Sequence, residues 1–426
     1  MTLPVFDTDA QFAQALDAAD ELAEFAGQFE RPSGSDAGPV RYLCGHSLGL
    51  MPVAARDNIA RELERWSQKG VAGHFDSDGW YDFHERFALP LAALLGVDAN
   101  EVVAMNSLTV NLHLMLVSFF RPGRERRRIL IERGAFPSDR FAVQSQLAFH
   151  GLDPTTDLIE LSPDADGRLS AAALDAALTS EAGRVALVLL PGVQYLTGEA
   201  IDLPACAEVI RRHGALLGLD LAHAIGNLPL ELRTSEPDFA VWCSYKYLNG
   251  GPGAIGGCFV NRQWHHDTLL PRFAGWWGND KSSRFAPDGD FLPTASAEAW
   301  QLSNPPIFAM APLEASLARF SAAGKSRLRA KSMALTAYLE SLLEDWCQDR
   351  IEILTPPQPE ARGAQLSVRI RQQRVSMEQL NAALQADGVI VDWRAPDVLR
   401  IAPVPLYNSF TDIHACVAAL AAALGD

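Results

Sequence analysis

The chain has 426 residues, 48% of them hydrophobic, and 36 basic against 52 acidic side chains leave a net charge of −16. That length predicts two or three domains with a large core, and the acidic balance excludes a protein that wraps nucleic acid, whose phosphates it would repel. Cys44, Cys206, Cys243, Cys258, Cys347 and Cys416 form no C-x-x-C pair, and the ten histidines show no H-E-x-x-H spacing, so reduced thiols and no structural metal are expected.

"MTLPVFDTDAQ" has no basic leader or apolar core, and the longest apolar runs, such as "VALVLL" (185–190), are only strand-length. A cytoplasmic location is expected. Residues 9–30 read as an amphipathic helix, followed by a Gly/Ser/Pro/Asp loop at 32–39. Residues 55–70 have a helical period closing at Gly70, and 81–96 read similarly, interrupted by Pro90. The basic run 124–128 reads as a solvated turn. From about 100 to 260 strand candidates alternate with helical stretches: "EVVAMN", "RILIER", "LIELS", "VALVLLPGV", "ALLGLDL", "FAVWCS" and "IGGCFV". The clearest helix is 202–214, with Asp202 as cap, Pro204 early and Gly214 at the end. This alternation predicts an α/β domain with a mainly parallel central sheet. Beyond 310 a helix-prone segment runs to about 347, broken lightly by Gly324. Strands "QLSVRI" and "VIVDWR" then flank the helix "SMEQLNAALQADG", and an alanine-rich helix ends the chain. The expected division is an arm at 1–50, a large domain at 51–310 and a smaller α+β domain at 311–426.

"CSYKYLNGGPGAIGG" (243–257) contains G-x-G-x-x-G, but a strand-like "AIGGCFV" follows where a dinucleotide fingerprint needs a helix. A P-loop needs its lysine after the glycines, and Lys246 precedes them. What remains is a lysine at a strand end, with glycines admitting close approach of backbone and ligand. Asp220 ends the strand 26 residues upstream, and ligands of open parallel sheets bind at such ends. Alone, each is more often a surface lysine or a capping aspartate. Together they suit pyridoxal 5'-phosphate, with Lys246 as the Schiff-base amine and Asp220 keeping the pyridine nitrogen protonated.

Three further stretches fit that cofactor. The helix opened by "NSLTVNLHL" has Ser107 or Thr109 as a cap, and its free N–H groups suit a phosphate. Phe136 in "AFPSD" (135–139) is either a core residue or a face for the ring. Tyr245 is placed to hydrogen-bond a phosphate and relay protons.

These stretches resemble the kynureninase family, fold-type-I pyridoxal-phosphate enzymes. The likeness extends through "YLCGHSLGL" (42–50), "KGVAGHF" (69–75), "DLAHAIGN" (220–227), "GWWG" (275–278), "LSNPPIF" (302–308) and "RIAPVPLYNSF" (400–410). It implies hydrolysis of L-kynurenine to anthranilate and L-alanine, and of 3-hydroxy-L-kynurenine to 3-hydroxyanthranilate and L-alanine. It also implies a homodimer with active sites at the subunit interface. By motif, Lys246, Asp220 and Tyr245 are catalytic. Leu108, Thr109, Tyr245 and Trp276 surround the phosphate, Trp276 from the other subunit. Phe136 stacks on the ring, with Pro137, Ser138, Asp139 and His223 beside it. Asn304 lies near cofactor and substrate, Arg400 takes the substrate α-carboxylate, and Ser47 and His74 line the substrate pocket. Polar His74 and Asn304 are similar to residues in relatives that take the hydroxylated substrate.

Two positions depart from the family pattern. Pro191 stands where a Ser or Thr is usual, removing a donor, and His46 replaces a frequent Asn. The alternative is another enzyme on the same fold, a desulfurase or aminotransferase. Tyr245 before the lysine, rather than His, argues against a desulfurase.

Overall fold

The computed structural model describes residues 6–33, 40–371 and 375–425. Its larger sheet has seven strands: β1 (Val102–Ala104), β2 (Arg128–Glu132), β3 (Leu158–Leu161), β4 (Val185–Pro191), β5 (Leu216–Asp220), β6 (Phe239–Cys243) and β7 (Gly256–Val260). The order is β1-β7-β6-β5-β4-β2-β3. All neighbours run parallel except around β7, which is antiparallel to both β6 and β1. All seven anticipated strands are present.

These strands are apolar at nearly every position because both faces are covered. Successive side chains point to opposite faces. Leu130, Val188, Leu190, Leu217 and Leu219 join a core with Cys206, Ile210, Met310 and Leu317. Ile129, Ile131, Leu187, Leu189 and Val241 join another with Leu112, Met115, Phe119, Val143 and Leu147. Each large side chain so buried contributes about 1.5–3 kcal/mol.

A four-stranded sheet follows: β8 (Ile351–Ile353), β9 (Leu366–Ile370), β10 (Asp392–Arg394) and β11 (Val398–Ile401), in the order β8-β9-β11-β10. It packs with helices Lys325–Trp346, Met377–Ala386 and Phe410–Leu424 around a separate core that also takes Ala13 and Leu43. The N-terminal segment is thereby shared between the two cores, since Leu22, Phe25, Phe29 and Leu50 join that of the larger sheet. Arg41–Tyr42 pairs in parallel with Val389–Ile390.

Several boundaries differ from the sequence reading. The helix expected over 9–30 stops at Ala18, where Asp20 turns the chain by accepting from Leu22 N at 2.9 Å; a short helix Ala23–Ala26 and strand Phe29–Glu30 follow. The loop at 32–39 lies largely outside the described residues. Residues 81–96 begin as a 3-10 turn (Phe83–Phe87), and Pro90 sits in the first turn of helix Ala88–Leu95, where its missing N–H costs nothing. Gly324, at φ +78, breaks the long segment fully into helices Ile307–Ala323 and Lys325–Trp346. "VIVDWR" is two strands, because the chain changes sheets at Val391. Ile351–Ile353 and Val398–Ile401 are strands that periodicity did not single out.

Candidate active site

The carboxyl ends of β2, β4, β5 and β6 open into one cavity of about 220 Å³. Its lining includes nine residues singled out from sequence: Leu108, Thr109, Phe136, Ser138, Asp139, Asp220, His223, Tyr245 and Lys246. Pro191 lines it as well, alongside Asp220 in the β4–β5 register, and brings no N–H or hydroxyl there.

Lys246 follows β6, on the connection that returns as antiparallel β7. That hairpin-like return is why no helix follows the glycines. Gly251 and Gly253 carry φ of +87 and +73, which a turning chain needs and side chains resist. Gly256 instead permits contact: a Cβ there would lie 2.7 Å from Trp242 O and 3.2 Å from Leu108 N. The glycines therefore let the lysine loop turn and seat β7 against the start of helix Leu108–Phe119.

Lys246 is buried, with its Nζ 5.7 Å from the Phe136 ring centroid and 5.9 Å from that of Tyr245. Asp220, also buried, accepts from Ala222 N at 2.7 Å. Beside it stand Asp139 and a residue the motif reading missed, Glu132 at the end of β2. Burial, together with the charge of Asp220, drives the Asp139 carboxyl well above its usual range. Burial chiefly, then Asp220, pushes Glu132 up to about 8. Burial and nearby Lys246 hold the His223 imidazole neutral. Burial and Cys243 raise the Tyr245 phenol, which therefore stays protonated and can donate.

Two helix starts converge on this cavity, Leu108–Phe119 and Pro137–Phe149. Neither Ser107 nor Thr109 caps the first with its side chain. The Thr109 hydroxyl instead meets that of Ser138 at 2.8 Å, joining the two starts. The first N–H groups of a helix have no partner within it and are suited to an anion. Pro137, exposed at the first turn of its helix, is outside the lining. Phe136 packs edge-on against Tyr195, another residue without a sequence signal, at 5.3 Å.

Arg400, on β11, lies outside the lining and touches it through Tyr195. Its Nη1 donates to Tyr195 O at 2.8 Å and its Nη2 to Ser47 Oγ at 3.1 Å and to Asp392 at 2.6 Å. His46, fully buried, faces His223 with ring centroids 6.3 Å apart. The fold gathers Cys44, His46 and Asp392 within ligand distance of one another, a grouping that spacing did not suggest. Asp392 there is already paired with arginines, a setting that repels a cation.

Besides Pro137, Ser47 and Arg400, three anticipated residues do not line this cavity. His74 packs on Trp80 at 5.1 Å, Trp276 is exposed and packs edge-on against Trp277 at 4.8 Å, and Asn304 is exposed. They share one face: Tyr81 contacts Trp277, Phe75 and Phe285, while Gly275 presses on the backbone of Leu302. Phe75, Trp276 and Phe285 leave that face apolar and open.

A kynureninase of Xanthomonas oryzae pv. oryzae is 52% identical over 407 residues, spanning 95% of this chain and 96% of its own. The chain belongs to the kynureninase family. A kynureninase of Xanthomonas campestris pv. campestris is likewise 52% identical over 409 residues, and the profile of the kynureninase C-terminal domain matches residues 328–420. The fold is also that of more distant enzymes. A C-DES variant with glycine covalently linked to its PLP cofactor superimposes with a TM-score of 0.76 at 19% identity, over 90% of this chain and 96% of that one. The cysteine desulfurase CsdA of Escherichia coli gives 0.74 at 17%, over 99% of each. In this chain five cysteines are buried and Cys44 is partly so.

Proposed function

We propose that the protein is a pyridoxal 5'-phosphate-dependent kynureninase that hydrolyses L-kynurenine to anthranilate and L-alanine, and 3-hydroxy-L-kynurenine to 3-hydroxyanthranilate and L-alanine. One observation carries the reading: Asp220, at the end of β5, and Lys246, on the loop just after its parallel neighbour β6, meet in a single cavity fed by two helix starts. The donor set fits the cofactor. Asp139 Oδ1 and His223 Nδ1 are buried without hydrogen-bond partners.

The bound cofactor supplies an electron sink for the α-carbon of an amino acid. Lys246 is the residue that would hold it covalently, and its freed amine is the base positioned for the substrate α-proton. Asp220 would face the ring nitrogen, with Asp139 and Glu132 neutral beside it. Phe136 offers a face to the ring, and Leu108, Thr109 and Ser138 offer the phosphate backbone and hydroxyl donors. Tyr245, a protonated phenol, is the donor placed to move a proton near the phosphate. Arg400 would take the α-carboxylate, with Ser47 at its side.

The exposed face bearing His74, Trp276 and Asn304 supports a homodimer in which these side chains complete a neighbouring site. Residues 51–310 would form the cofactor-binding body and 311–426, joined by 1–50, the smaller one. No helix among the described residues is long and apolar enough to cross a membrane, and a cytoplasmic location suits this role. The test is direct: the purified protein should be yellow, bleach with borohydride and carry the reduced cofactor on Lys246. A colourless protein that takes up no added pyridoxal phosphate would sink the reading.

A further inference from the structure

The carboxylate site at Arg400 contains a carboxylate of its own. Asp392 stands directly opposite Arg400 in the antiparallel β10–β11 register, so their side chains share a face and meet whatever the rest of the fold does. Arg394, two residues along the same strand, lies on that face too. Asp392 Oδ2 accepts from Arg400 Nη2 at 2.6 Å, from Arg394 Nη2 at 3.2 Å and from the Ser47 hydroxyl. Arg400 is fully buried, whereas Arg394 reaches solvent.

Two details give this cluster a direction. A guanidinium grips a carboxylate through Nη2 paired with either Nε or Nη1. In Arg400 the Nη2 protons are taken by Asp392 and Ser47, and Nε is buried without a partner. An incoming carboxylate therefore meets Asp392 at the nitrogen it needs. The charges also leave room for it. Two guanidinium groups face one carboxylate, and the other titratable neighbours add no anion: burial keeps the Cys44 thiol at about 11, raises the Tyr42 phenol and holds His46 neutral. The cluster is one negative charge short, and Arg394 Nε is likewise buried without a partner.

We propose that Asp392 is an internal competitor for Arg400, handed over to Arg394 when an amino-acid α-carboxylate arrives, and that this exchange sets the site's affinity for amino acids. The idea rests on Arg400 as the carboxylate site, and the experiment separates the two. L-Alanine is titrated into the cofactor-loaded enzyme and its Kd is read from the change in cofactor absorbance; the KM for L-kynurenine is measured beside it. Asp392→Asn should lower both constants by about fivefold or more, because the competing charge is gone. Arg394→Gln should raise them by about as much, because Asp392 then has only Arg400, and that effect should vanish in the Asp392→Asn background. Weaker or unchanged binding in Asp392→Asn, or an equal effect of Arg394→Gln in both backgrounds, overturns the exchange. Arg400→Lys tests the underlying reading: parental affinity in that variant removes Arg400 as the carboxylate site and the proposal with it. Weak binding in both Arg400→Lys and Asp392→Asn leaves Arg400 in place and removes only the exchange.

Discussion

Gly49→Ala should damage catalysis more than its single methyl suggests. Gly49 lies where "YLCGHSLGL" crosses the lysine loop, and its N–H donates to Tyr245 O at 2.8 Å. A Cβ at this position would fall 2.2 Å from Asn249 Oδ1, 2.4 Å from Lys246 O and 2.8 Å from Asn249 Cα. The amide oxygen can rotate away, but the Lys246 carbonyl is backbone and must retreat by about an ångström to reach ordinary contact. Misplacing a reacting group by that distance costs about a hundredfold in rate, or about 2.7 kcal/mol in kcat/KM. Overpacking should remove about 1–3 kcal/mol of stability and lower Tm by about 2–4 °C per kcal/mol. The assay is kcat/KM for L-kynurenine beside thermal unfolding, with Gly27→Ala as control. Gly27 has φ −69 and nothing within 4 Å of an added Cβ, so that change should be neutral. A folded, cofactor-loaded Gly49→Ala enzyme within about threefold of the parent's kcat/KM would refute the claim that this crossing fixes the lysine.

Lys246→Ala should abolish turnover and Asp220→Ala should cripple it, measured as anthranilate released; near-normal activity in purified Lys246→Ala ends the mechanism. Glu132, held near 8 against an ordinary 4.5, keeps a proton that the unfolded chain releases between those values. Its contribution to stability is therefore complete below the lower value and lost as pH rises through the upper one. Glu132→Gln should flatten that decline, read as urea midpoints at about pH 5 and about pH 8.5; parallel declines in parent and variant would exclude the role given to Glu132. If His74 and Asn304 border the substrate ring, kcat/KM for 3-hydroxykynurenine should equal or exceed that for kynurenine, and a large preference for plain kynurenine would count against it.

By itself, the sequence determined the parallel sheet and the pair at its centre. Apolar runs between helical stretches can bury both faces in only a few ways, and Asp220 and Lys246 each close such a run, so their place at the strand ends follows from local pattern. Tertiary structure alone decided what surrounds them. Glu132 reads as an ordinary polar residue ending a strand until β4 and β5 place Asp220 nearby. Asp392 became a partner of Arg400 through antiparallel register, and Ser47 joined them from 345 positions away, a distance no periodicity spans. The same limit applies to His74, Trp276 and Asn304: motif named them, Trp276 as a residue reaching the other subunit, and within one chain packing puts them on an exposed aromatic face rather than beside Lys246. Strand and helix are set by neighbours along the chain. The charge, burial and reach of a catalytic side chain are set by whatever the fold brings against it.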